Sequence, residues 1–473
     1  MVFSSLVFLY AFLPLCLLFY RIPRGIRGRN TVLLVFSLIF YAWGEPIWIL
    51  QMLLSGMLIF LFGLLIDKSR ALPRQKKIYL ALALTSALLP LFIFKYSGFF
   101  MENLSAILGL HLTIPQLTMP IGISFYTFQI ISYAVDLSRG DCKVQKNLAD
   151  FWLYEALFPQ LIAGPIVRYV DVEHEIYERS TTANDLAEGL KRFVTGLAKK
   201  TIVANYAGSI VEQTWGSGRL SSLSSLEMLL GCIAFTFQIY YDFSAYSDMA
   251  IGLGRIFGFH FKENFNYPYI AASVTDFWRR WHISLGTFFR DYVYIPLGGN
   301  RKHQYFNIFL VWFLTGFWHG ASWNFIIWGL YFCAFLVLEK TILLARLQRS
   351  SRVLQTLYML PIVLFGWAIF YFTDLSQLSI FFRRLFGLDG AVFAGLEARL
   401  LFRQNWLFFA LAMLGACPVF PWLKKRYPLT QSARFRASGL YLSVTLVRVL
   451  GLLLLSTAAL AGQSFNPFLY FRF

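Results

Sequence analysis

The sequence predicts an all-α, multi-pass membrane protein, and three observations carry that prediction. Of 473 residues, 58% are hydrophobic and only 14% are charged, against about 25% charged in a soluble globular protein. Apolar runs of membrane-spanning length recur along the chain. The segments between them are short and rich in Lys and Arg. In a soluble protein the net charge of +18 would suit nucleic acid. Here basic loops on the cytoplasmic side account for it, as the positive-inside rule requires. Nucleic acid is therefore set aside as a partner, while membrane lipids and an anionic small molecule are retained.

The elements follow in order. The opening run, residues 2–20, lacks the positive start and small-residue cleavage site of a signal peptide. It reads as an uncleaved span with its N-terminus outside the cytoplasm, because Arg21, Arg24, Arg27 and Arg29 follow it. Runs at 31–44, 47–66, 78–94 and 117–137 come next. Their connections, including DKSRALPRQKK, a segment with His111, and RGDCKVQKN, keep the basic loops on one side through five spans.

Residues 151–170 are apolar but broken by Pro159, Gly164 and Pro165. Irregular backbone at membrane depth must be buried in protein or line a cavity, so a re-entrant or interfacial segment is expected. A surface helix follows, with Thr182 or Asn184 as its N-cap.

Spans near 190–213 and 226–250 lead to residues 255–303, which hold seven Lys or Arg against three acids and belong at the cytoplasmic face. Apolar runs at 305–318, 322–342, 353–372, 405–423 and 438–461 complete the chain. The expected total is about ten to twelve spans. We read one membrane domain, 1–473, with peripheral spans 1–115, a core 116–345 and C-terminal spans 346–473. Five scattered cysteines lack zinc or redox spacing and read as small buried hydrophobes.

Two segments carry chemistry. In FLTGFWHGASWNFIIWGLYF (313–332), His319 sits between two apolar runs, with Gly316 and Gly320 allowing close helix approach. An ionisable residue at that depth is costly, which makes it a functional candidate. In DFWRRWHISLGTFFRDYVYIPLGGN (276–300), His282 lies among Trp278, Trp281, Arg279 and Arg280. An ordinary aromatic and basic interfacial belt would look the same. Together the pair is more distinctive: the histidines are 37 positions apart, and Trp278, Trp281, Trp312, Trp318, Trp323 and Trp328 cluster around them. Such residues suit the wall of a largely apolar small-molecule site. Asp242 and Tyr246, four apart on one helix face, and Asn324 are further candidates for its lining. No metal site is expected, since two histidines without carboxylate or thiolate partners fall short of three or four ligands.

WHG around His319 and RRWHISL around His282 resemble the paired signature of the membrane-bound O-acyltransferases. MPIGISFYTFQIISYAVDLSRG, FPQLIAGPIVR, YYDFSAYSDMAIGLGRIFGF and the C-terminal NPFLYFRF resemble its bacterial alginate O-acetyltransferase branch, over nearly the whole chain.

The resemblance implies a helical membrane domain around a funnel, with His319 as the catalytic histidine. His282 falls at a second signature position that holds His, Asn or Asp. It implies acetyl-CoA as cytoplasmic donor, with no bound cofactor. The acetyl group crosses the inner membrane and, with a secreted or membrane-anchored SGNH-type partner, reaches a polysaccharide. A neutral histidine can act as base toward the acceptor hydroxyl. Either His282 or a tryptophan N–H can steady the oxyanion; the sequence does not choose. Arg279, Arg280, Arg290 and Arg301 become candidates for the CoA phosphates. A rival from another class, a proton-coupled transporter or flippase of a saccharide or lipid intermediate, uses the same buried histidine as a relay.

Overall fold

The computed structural model describes residues 1–109, 117–216, 218–426, 439–462 and 468–469. Among them the regular structure is entirely helical. His111, most of the 424–436 basic loop and nearly all of NPFLYFRF lie outside the described residues.

Five helices are long and apolar enough to cross a membrane: Trp48–Lys68, Pro73–Leu108, Trp323–Arg349, Arg352–Tyr371 and Gly439–Ala461. The chain is a multi-pass membrane protein. Other expected spans fall on shorter helices such as Ile26–Ala42, Ile123–Arg139 and Gln304–His319. The run expected at 78–94 continues to Leu108 as one 36-residue helix despite Pro90. The run expected at 405–423 divides into Leu396–Ala416 and Val419–Arg426.

The chain forms two compact units. The first comprises Met1–Phe193, Tyr246–Glu263 and Arg290–Val293. Its core is aromatic: Phe3, Phe8, Phe12, Phe40 and Phe158 meet ring to ring. The broken segment at 151–170 becomes two short helices, Leu148–Ala156 and Phe158–Leu161, and then leaves helical geometry. Residues 157–167 are buried throughout, the setting that irregular backbone in a membrane domain requires.

The expected surface helix is in fact two, Tyr169–Tyr177 and Ala183–Ala198. The second starts at a capping box. The Asp185 amide donates to the Thr182 hydroxyl oxygen at 3.1 Å, and the Thr182 amide donates back to the Asp185 carboxylate at 3.1 Å. Hydrogen bonds from the Thr182 hydroxyl and amide hold the Asp185 carboxyl below the usual carboxylate range.

The second unit comprises Val194–Ala245, Asn264–Phe289 and Tyr294–Phe473. Helices Gln304–His319 and Trp323–Leu338 touch backbone to backbone at two glycines. A Cβ on Gly316 would lie 2.3 Å from the Phe325 carbonyl oxygen, and one on Gly329 would lie 2.4 Å from that of Trp312. Small residues at such a crossing replace the hydrophobic drive that lipid cannot supply. Gly320, expected to serve helix approach as well, instead faces the Phe325 ring. Four of the five cysteines are buried, as anticipated for small hydrophobes.

Candidate active site

Both signature histidines belong to the second unit. His319 is the last residue of helix Gln304–His319, and Gly320 breaks the helix in extended conformation. Its partly buried imidazole is set among three rings from two other helices: Trp328 at 5.0 Å, Phe370 at 5.1 Å and Phe325 at 6.4 Å between centroids.

Asn324, expected to line the pocket, instead ties two helices together. It is fully buried, and its Nδ2 donates to the Ile369 and Phe370 carbonyls at 3.2 Å each. These are terminal carbonyls of helix Arg352–Tyr371, which otherwise lack helical partners. Phe370 is thereby fixed against His319.

His282 lies in the turn between helices Val274–Arg280 and Ile283–Phe289. It is 3% exposed and holds φ +44°, in the left-handed region. Its ring meets Phe243 edge-on at 4.6 Å and Trp318 at 6.1 Å. Trp318, next to His319 in the chain, is thus the ring that both imidazoles approach.

The other tryptophans form a contiguous cluster. Trp278 meets Trp312 at 4.8 Å and Trp328 at 5.4 Å, while Trp281 meets Trp367 at 4.7 Å. Trp367 was not anticipated from the sequence, and Trp323 stands 51% exposed. The indole N–H groups of Trp278 and Trp328 are buried with no hydrogen-bond partner among the described residues. Buried indole donors ordinarily find one, so Trp328 brings an unused donor beside His319.

Three polar supports escaped the sequence reading. Glu339, fully buried on helix Trp323–Arg349, accepts the Val274 amide at 2.6 Å and the Thr275 amide at 2.8 Å. It thereby caps the helix that carries Trp278 and leads into His282. Lys200 forms a buried ion pair with Asp242, whose other oxygen accepts the Leu469 amide at 2.6 Å. Asp242, a candidate pocket residue, is therefore committed to this pair. Asn264 accepts hydrogen bonds in the His282 turn. In sequence, Glu339 looks like a charge near the end of the apolar run 322–342, Lys200 like a stray cation within the expected span 190–213 and Asn264 like part of a polar loop; no periodicity singles them out.

The remaining candidates separate. Tyr246 belongs to the first unit, stacked on Phe3 at 4.8 Å. Arg290 belongs there too, bonded to Asp291. In the second unit Arg280 is paired with Asp276, while Arg279 and Arg301 are exposed and have no ion pair among the described residues.

A helical membrane domain that sets a histidine at a helix end among aromatic rings, beside an unused N–H donor, has the parts of an acyl-transfer site. The sequence profile of the MBOAT, membrane-bound O-acyltransferase family matches residues 36–381. The chain is 37% identical over 510 positions to the probable alginate O-acetylase AlgI of Azotobacter vinelandii, covering 100% of both. It is 42% identical over 379 positions to the protein of that name from Pseudomonas aeruginosa, covering 78% of this chain and 72% of the relative. Similarity extends to the peptidoglycan O-acetyltransferase of Helicobacter pylori, 34% over 366 positions, covering 70% and 68%. The chain belongs to the membrane-bound O-acyltransferase family, and it is an O-acyltransferase.

Proposed function

We propose that the chain takes acetyl from cytoplasmic acetyl-CoA across the inner membrane for O-acetylation of an extracytoplasmic polysaccharide. An alginate-type exopolysaccharide is the first choice and peptidoglycan the second, in the order of the relatives' similarity. A secreted or membrane-anchored SGNH-type protein completes the delivery.

One observation carries the catalytic reading. His319 is the ionisable side chain set at a helix end in the aromatic cluster, with the unused Trp328 N–H alongside. In the proposed step a neutral His319 takes the proton of an acceptor hydroxyl as its oxygen attacks the thioester carbonyl carbon. The Trp328 N–H donates to the carbonyl oxygen as negative charge gathers there. The C–S bond then breaks, and the imidazolium returns its proton to the departing thiolate. Arg279 and Arg301, unengaged by carboxylates among the described residues, are assigned to the CoA phosphates.

The test is transfer from radiolabelled acetyl-CoA in membranes, with polysaccharide O-acetyl content measured in a deletion strain carrying each variant. His319→Ala is expected to abolish both while the protein still inserts. Normal acetylation in that variant would defeat the reading. Saccharide or lipid translocation without any acetyl transfer by the wild type would favour a transporter.

A further inference from the structure

We propose that Asn264 is a positioning residue that fixes the His282 imidazole as its Nδ1–H tautomer, so that Nε2 presents a lone pair to the acceptor's hydroxyl. The inference rests on the acyl-transfer reading above and assigns His282 a side in it.

The backbone first brings the two residues together. The Ile283 amide donates to the Asn264 carbonyl at 2.9 Å, and the Asn266 amide donates to that of Arg280 at 2.9 Å. The Asn264 side chain then turns into the histidine turn. Its Oδ1 lies 3.1 Å from the Ser284 amide nitrogen. A backbone N–H can only donate, so the atom facing it must be the amide oxygen and not the NH₂. The same oxygen accepts the Ser284 hydroxyl at 2.9 Å and stands 3.2 Å from His282 Nδ1. With its proton given to Asn264, the Ser284 hydroxyl, 3.4 Å from Nδ1, can only accept there as well, and acceptors opposite Nδ1 require Nδ1 to carry the proton.

In the neutral ring Nε2 is then bare. That atom is buried and has no hydrogen-bond partner among the described residues. A proton there would be a buried donor with no acceptor among the described residues. Residues held at positive φ persist only where their surroundings over-determine them; at His282 the two backbone bonds and the Asn264 clamp do so.

The consequence is chemical. A bare nitrogen cannot steady an oxyanion, which needs a donor. It can receive an O–H, which the acceptor alcohol has and a thioester lacks. His282 therefore orients the acceptor, and the oxyanion is left to an indole N–H such as that of Trp328.

Three variants of the full chain test this, read as acetyl-CoA-dependent O-acetylation in the deletion strain and as thermal stability after purification. Asn264→Asp keeps an oxygen acceptor in place and is expected to stay within about tenfold of wild type, whereas Asn264→Leu loses about 100-fold or more. Ser284→Ala leaves the backbone donor and the clamp intact and is expected to stay within about threefold. A stably folded Asn264→Asp no better than Asn264→Leu, or a wild-type-like Asn264→Leu, overturns the assignment. If Asn264→Leu does not accumulate, Asn264→Asp decides alone: retained transfer supports the clamp, and a loss of about 100-fold in folded protein sinks it. Failure of the acyl-transfer reading looks different, since the wild type would then show no His319-dependent transfer at all.

Discussion

The two signature histidines sit in opposite kinds of surroundings. His282 is buried, held at φ +44° and clamped through Nδ1. His319 ends a helix, is only partly buried, and is bordered by rings. One imidazole is held within a hydrogen-bonded turn; the other is walled by aromatic rings at a helix end. The contrast teaches that neighbours, more than residue type, divide the roles at this site.

The sharpest way to break the comparison is to truncate each ring and measure activity and stability together. His319→Ala is expected to abolish detectable transfer, a loss of at least the ~10²–10⁴-fold that a general base is usually worth. Its melting temperature should stay near wild type, because the ring stands at the end of its helix and is only partly buried. His282→Ala should lower both transfer and melting temperature. Equal thermal losses in the two variants would erase the distinction.

Next in size, Trp328→Phe keeps a ring beside His319 but removes the N–H. It should cost about 10²–10³-fold in kcat, as removing an oxyanion donor does; an unchanged kcat would move that role elsewhere. Glu339→Ala strips two amides of their acceptor and should destabilise the purified protein by about 2–4 kcal/mol by thermal or denaturant unfolding, with Glu339→Gln in between. Because Glu339 supports the His282 side, its loss should mimic His282→Ala more than His319→Ala. Smallest of all, Thr182→Ala in the first unit should cost about 0.5–2 kcal/mol of stability and leave transfer untouched.

What was legible in the sequence follows from which forces are local. Apolar runs must become helices in lipid, so the membrane class and most helix positions could be read directly. The cap was legible to within two residues, Thr182 or Asn184, because a capping box spans only four; the structure chooses Thr182. His319 was legible because an imidazole between two apolar runs has few bland explanations. The supports were not: Asn264 acts on a residue 18 positions away and Glu339 on amides 64 and 65 positions away. Trp323 and Trp367 exchanged their expected roles for the same reason. Which face of a uniformly apolar helix turns inward is set by tertiary packing; helix Trp323–Leu338 is apolar all round.

The unusual backbone at position 282 also limits what can replace its side chain. At positive φ, Asn, Asp and His are several-fold enriched among non-glycine residues, and β-branched residues are outliers. The family resemblance drawn from the sequence puts His, Asn or Asp at this signature position, the same three residues. The torsion of one bond thus narrows the alphabet open to mutation there: Asn and Asp can be tried without bending the chain, whereas Val or Ile would have to remake the turn.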